Sequence, residues 1–120
     1  MSFEWKKYLE LARLLASEPP NGCSEEAAKR SAVSRAYYAV FCHIRNYAKS
    51  NWGFQPENTA KDHKSLREFL RKNGETELAS SLNKLREWRN MCDYDNSVTN
   101  LDDLVKNALA LAHRIIKKYT

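Results

Sequence analysis

The chain has 120 residues and a formal net charge of +5, from 20 Lys and Arg against 15 Asp and Glu. That length fits one domain over residues 1–120 on a scale of ~100 to 200 residues per domain, which excludes a two-domain enzyme and leaves enough chain for a core that needs neither disulfide nor metal. Three Gly and three Pro are too few turn formers for a β-sandwich or barrel, and the basic balance admits anionic partners without naming one.

Apolar residues at Trp5, Tyr8, Ala12 and Leu15 fall in steps of three and four and predict a first helix over Phe3–Ser17, which Pro19 and Pro20 must end. Ser24 is placed to cap the next helix, with Glu25 and Glu26 in its first turn, where the helix dipole favours negative charge. This second helix is predicted to run from Glu25 to Ser50. Its seam of Val33, Tyr37, Val40, Ile44 and Tyr47 makes it the central element, and Ala28, Ala32, Ala36, Ala39 and Ala48 let neighbours approach closely. Residues 52–61 lose the periodicity and read as a loop pinned by Trp52 and Phe54. A short third helix over Asp62–Lys72 buries Leu66, Phe69 and Leu70 and stops at Asn73-Gly74. The fourth runs from Glu75 to Asp93. Thr99-x-x-Asp102 resembles a capping box, and a fifth helix follows with Leu101, Val105, Ala108, Ala112, Ile115 and Tyr119 on one stripe. The reading is all-α: an antiparallel four-helix bundle with an additional short helix at a corner.

Cys23, Cys42 and Cys92 cannot all pair within one chain, no Cys-x-x-Cys occurs, and the opening Met-Ser-Phe-Glu-Trp-Lys-Lys lacks an apolar signal region. A cytoplasmic protein is therefore expected. The longest apolar stretch, Ala36–Cys42, is far short of the ~20 residues that span a bilayer, so no membrane is expected as a partner.

The fourth helix carries an anomaly. Its buried face is Leu78, Leu82, Leu85 and Cys92, and a step of four from Leu85 lands on Arg89, within about 40° of the centre of that face at ~100° per residue. A guanidinium there must pair with a carboxylate such as Asp93 or with main-chain carbonyls, reach water along its stem, or line a groove that binds an anion. The first outcome is structural and the last is functional.

Around Arg89 the chain reads Leu85-Arg-Glu-Trp-Arg-Asn-Met-Cys-Asp-Tyr-Asp95, and the second helix carries Ser34-Arg-Ala-Tyr-Tyr-Ala-Val-Phe41. Together with Trp5-Lys-Lys-Tyr-Leu-Glu-Leu-Ala12, these stretches resemble small prokaryotic members of the HEPN (higher eukaryotes and prokaryotes nucleotide-binding) family, over essentially the whole chain. The resemblance implies a helical bundle that pairs as a homodimer, with the fourth-helix motifs of two protomers lining one cleft. In the family's catalytic branch that cleft is a metal-independent ribonuclease site, serving as a toxin beside a nucleotidyltransferase-type antitoxin or in phage defence. The branch has an Arg followed, after four to six residues, by a His. Arg89 and Asn90 match the first half, but Tyr94, Asp95 and Asn96 stand where the His should be.

Cleavage through a ribose 2′-hydroxyl needs a proton acceptor and a donor near neutrality, which histidine supplies. Tyr94 is a poor base and Asp95 has no evident proton for the leaving oxygen, whereas Arg89 and Asn90 can still hold phosphate, so binding survives the loss better than catalysis does. The expected site is thus Arg89, Asn90, Tyr94 and Asp95, joined by an exposed Arg35 and Tyr38 that could stack on a base or bind phosphate, or pack against another helix or a dimer partner. No cofactor and no metal are expected. Two functions remain: an RNA- or nucleotide-directed module of toxin-antitoxin or defence type, or a non-catalytic interaction module for a nucleotidyltransferase-like protein.

Other features carry less. His43 reads as a partly buried, hydrogen-bonded histidine, with a replacement general base as the alternative; His63 and His113 read as structural or solvated. A zinc site from Cys42, His43, His63 and Cys92 matches no ligand spacing, Cys23 reads as an exposed thiol, and Lys64, Arg67, Arg71 and Lys72 read as a solvated basic face, with an RNA track as the alternative.

Overall fold

The computed structural model describes residues 2–120, so Met1 of the opening stretch lies outside the described residues. Five helices form, α1 (Lys7–Ser17), α2 (Glu25–Trp52), α3 (Lys61–Lys72), α4 (Thr76–Tyr94) and α5 (Leu101–Lys118), and there is no strand among the described residues. The 28 residues of α2 at a rise of ~1.5 Å each give about 42 Å, close to the longest dimension of the molecule, 44 Å. The other helices assemble on that axis. Helices α1, α4 and α5 all pack on α2, and α3 packs on α4.

Composition explains the central place of α2. Ala32, Ala36, Ala39 and Ala48 are fully buried and let adjacent backbones come close, while Val33, Tyr37, Val40 and Ile44 fill the space between helices. Leu66 and Leu70 from α3, Leu82 and Leu85 from α4, and Val105, Ala108 and Ala112 from α5 close the same cluster. Tyr47, the last member of the predicted seam, is half-buried against Trp52 and Tyr119.

Most helix ends follow their residues. The Ser24 hydroxyl accepts from Ala27 N–H at 3.2 Å, and Pro19-Pro20 follows directly on the end of α1. Helix α2 runs two residues beyond the predicted Ser50, until Gly53 turns left-handed at φ 78° and the N–H groups of Gly53 and Phe54 both return to Ala48 carbonyl. Two expectations fail. Helix α1 starts at Lys7 because Glu4–Lys6 form a turn, held by an aromatic trio of Phe3, Trp5 and Tyr8. Thr99 caps nothing: α5 is entered through Asn100, itself left-handed at φ 53° and without a side-chain cap.

Phe54 is buried against Phe69 and Trp52 rests on Tyr47 and Tyr119, so both predicted aromatics pin the 53–60 loop. Asp62 adds a third anchor. Its buried carboxylate accepts from the N–H groups of Glu57 at 2.8 Å and Asn58 at 2.9 Å, fixing the approach to α3. No helix among the described residues is long and apolar enough to cross a membrane.

Candidate functional site

Arg89 leaves the buried face of α4 toward α2. One Nη donates to the Tyr38 hydroxyl at 2.8 Å and the other to Asn90 Oδ1 at 3.1 Å. Its Nε lies 2.9 Å from Asp93 Oδ2, an i,i+4 ion pair whose side chains keep only 19% and 27% of their surface exposed. That Nε is buried, and no hydrogen bond to it is well aligned, so the contact with Asp93 is chiefly one of charge. The Ser34 hydroxyl of α2 donates to the same carboxylate oxygen at 3.4 Å. The predicted structural pairing of Arg89 with Asp93 therefore forms, within a wider polar cluster that joins α2 to α4.

Aromatic faces surround the guanidinium. Its central carbon lies 5.2 Å from the ring centroid of Tyr38 and 5.9 Å from those of Tyr37 and Tyr94. Arg35 stacks at 5.1 Å on both Tyr38 and Tyr8, so the pair packs against another helix, α1, the second of the two readings the sequence allows, and is half-buried rather than exposed. Tyr94 is 72% exposed and presents its ring to solvent beside Arg89. Asp95 enters the structure through its backbone. Its carbonyl accepts from Arg30 at 2.6 Å, beside Cys92 carbonyl at 3.1 Å, while its exposed carboxylate has no hydrogen bond or ion pair among the described residues. Of the expected residues, Arg89, Asn90, Tyr38 and Tyr94 converge, Arg35 joins through Tyr38, and the Asp95 side chain stays apart from these contacts.

Arg30 accounts for the position of that segment. It reaches from α2 across the last turn of α4, whose carbonyls lack intrahelical donors, and so anchors the helix end that carries Asp93 and Tyr94.

A histidine also enters the cluster. His63, in the first turn of α3, lies flat against Phe41 with centroids 4.0 Å apart and planes 9° from parallel, and its Nδ1 shares a hydrogen bond with the Tyr37 hydroxyl. Burial lowers its pKa below the ordinary 6.5, and Arg89 and Arg67 lower it further against the pull of Asp62. Burial also keeps Tyr37 protonated well above the normal tyrosine range. His63 was expected to be structural or solvated. His63 stands 26 positions after Tyr37, across a loop without periodicity, so only the packing of the α3 start on α2 brings them together.

The local charge is unbalanced. Arg89, Arg67 and Arg86 all act on His63 and Tyr37. Asp93 pairs with Arg89, but Arg67 donates to the His63 carbonyl at 2.8 Å and Arg86 to Asn83 Oδ1 at 3.1 and 3.2 Å, both neutral oxygens, with no ion pair to either among the described residues. Arg67 thus turns inward from the basic face of α3, while Lys64, Arg71 and Lys72 remain solvated. Three guanidiniums against two carboxylates, Asp93 and an Asp62 already occupied by two backbone N–H groups, surround a neutral imidazole and form a setting for an anion.

The remaining candidates sit elsewhere. His43 is half-buried and hydrogen-bonded through Nε2 to Tyr119 carbonyl near the chain end. His113 is exposed and accepts at Nδ1 from Arg13 at 2.8 Å. Cys23 is exposed and Cys42 and Cys92 are buried, all as free thiols, and burial raises Cys92 to about 11. No group of three or more His, Cys, Asp or Glu among the described residues is arranged to hold a metal ion.

No family model matches the chain, and no solved structure matches it. A protein of Methanocaldococcus jannaschii described as uncharacterized is 33% identical over 91 residues, covering 62% of this chain and 51% of its own length. The chain thus spans about half the length of that relative.

Proposed function

We propose that this chain is a HEPN-type helical bundle, acting as a homodimer on RNA or a nucleotide through the cleft where α2, α3 and α4 meet. The observation that carries this reading is the excess of guanidinium over carboxylate around Arg89, Arg67 and Arg86, held beside exposed Tyr94. Arginine forks match phosphate oxygens in pairs, and an exposed tyrosine stacks on an unpaired base, so the cluster suits a single-stranded or looped polynucleotide. The packing of α1, α4 and α5 on α2, with α3 beside α4, is compatible with the bundle that the motif resemblance implies. A toxin or defence role beside a nucleotidyltransferase-type antitoxin follows from the same resemblance.

In this reading Arg89 contacts phosphate, Asn90 orients it, and Tyr38 holds the guanidinium from below. Arg89→Ala should weaken binding of a mixed transfer-RNA and messenger-RNA pool by about tenfold or more while the helical content stays unchanged, in line with the ~1.5 to 3 kcal/mol of a charged hydrogen bond. An unchanged affinity would overturn the RNA site. It would favour a second reading, which the Arg89–Asp93 pair supports: a non-catalytic module in which Arg89 is structural and the partner is a nucleotidyltransferase-like protein.

A further inference from the structure

The α4 motif lacks a histidine, yet the folded cluster contains one. His63 is held on two sides: its ring stacks on Phe41, and its Nδ1 is engaged by the Tyr37 hydroxyl, while the Tyr38 ring meets its edge at 84°. Nε2 has no hydrogen-bond partner among the described residues and is not a buried atom. An imidazole with one nitrogen fixed and the other open is the arrangement in which proton transfer has a defined direction.

The groups that face this ring set its state. From α2 these are Tyr37 and Tyr38, from α3 Asp62 and Arg67, and from α4 Arg86 and Arg89. The Asp62 carboxylate is occupied by two backbone N–H groups, which leaves the guanidiniums as the dominant charges. Burial disfavours an imidazolium and the guanidiniums add to it, so His63 is neutral at pH 7 and able to accept a proton. Tyr37, kept as a phenol by burial, can accept from Nδ1–H, and that tautomer puts the free lone pair on Nε2.

We propose that His63 is the proton acceptor for RNA cleavage in the α2–α3–α4 cleft, a role that rests on the reading of that cleft as an RNA site. The ribose 2′-oxygen forms a bond to the adjacent phosphorus as its proton passes to Nε2 of His63. The bond from phosphorus to the 5′-oxygen breaks, and that oxygen takes a proton from water. The imidazolium then returns its proton to the hydroxide so formed, leaving a 2′,3′-cyclic phosphate and a free 5′-hydroxyl with no net change in the enzyme. Arg89 stabilises the charge that builds on the phosphoryl oxygens, and Tyr37 accepts from Nδ1–H throughout, holding the ring in register. No histidine on α4 is required.

The test uses the full chain in EDTA with transfer RNA, and compares wild type, His63→Gln, His63→Ala and Arg89→Ala for binding, cleavage and helical content. Wild type is expected to leave cyclic-phosphate ends, with a rate that rises with pH and levels off below about 6.5, the ordinary histidine value. His63→Gln should bind RNA within about twofold of wild type yet cleave at least ~100-fold more slowly and lose that acid limb, and imidazole in the buffer should restore part of the activity of His63→Ala. Arg89→Ala should lose binding and cleavage together. If His63→Gln cleaves with the wild-type rate and pH profile, or if wild type binds RNA in an Arg89-dependent way and cleaves none, the role of His63 is overturned and the RNA site stands. If wild type binds no RNA, the site itself fails and the role of His63 with it. Should His63→Gln not fold, imidazole rescue of His63→Ala decides, absence of rescue counting against the proposal.

Discussion

At the scale of single residues, Arg89 and Asp93 form an ion pair inside the proposed site, and their partial exposure bounds what that pair adds to stability. A fully buried pair broken at one side costs ~3 to 5 kcal/mol, but these side chains keep 19% and 27% of their surface in solvent, and Asp93 retains the Ser34 hydroxyl. Arg89→Ala should therefore destabilise by about 1 to 3 kcal/mol, measured by urea unfolding, and a loss above that range would mean that the pair is sealed from water. His63 makes a different prediction. Its folded-state pKa lies below the unfolded 6.5, so the unfolded chain binds the proton more readily. Its contribution is fully present above 6.5 and is lost as pH falls from there through the lower folded-state value. The loss of stability between pH 7 and 5 should be smaller in His63→Gln than in wild type, and equal losses would show that His63 is not held neutral by the fold. Arg89 was legible in the chain because a step of four from Leu85 placed a charge on an apolar face, and Asp93 was the carboxylate one turn further on. His63 was not, since its partners come from another helix and no spacing rule connects them.

At the scale of elements, the helix ends show how local chemistry positions the site. Ser24→Ala removes the acceptor for Ala27 N–H and should cost ~0.5 to 2 kcal/mol in thermal or urea unfolding, with no change in RNA affinity, because the α2 cap lies outside the cluster. Arg30→Met should act at the C-terminal end of α4. It removes the donors to the carbonyls of Cys92, Asp95 and Asn96, so amide exchange over residues 93–96 should accelerate relative to the middle of α4, and protection equal to wild type would contradict the latch. Prolines, a serine cap and an Asn-Gly pair marked three helix boundaries because each acts through its own backbone or its nearest neighbours. The start of α5 was misread for the same reason in reverse: Thr99 has the chemistry of a cap, but the chain enters the helix through a left-handed Asn100, and the backbone path decides which residue occupies the cap. Aromatic packing likewise displaced the start of α1, where Phe3, Trp5 and Tyr8 form a turn rather than a helical stripe.

At the scale of the whole molecule, the core is one cluster drawn from every helix, and its members were largely visible as the stripes of α2, α4 and α5. The stripes did not tell which helices touch. That α3 docks on α4 beside α2, and so delivers His63 and Arg67 to Arg89, is a property of the assembled fold. Leu85→Ala, at a fully buried position one turn before Arg89, should cost ~2 to 5 kcal/mol through lost burial and a residual cavity. The proposed RNA site is the excess of positive charge at the junction of α2, α3 and α4. Its most direct test is a titration of single-stranded RNA with wild type, Arg89→Ala and Asp93→Asn at two salt concentrations. Asp93→Asn, which removes the carboxylate paired with Arg89, should bind at least as tightly as wild type, Arg89→Ala should bind about tenfold or more weakly, and salt should weaken every interaction. Equal affinities for all three proteins, or weaker binding by Asp93→Asn with its fold intact, would contradict an RNA site there.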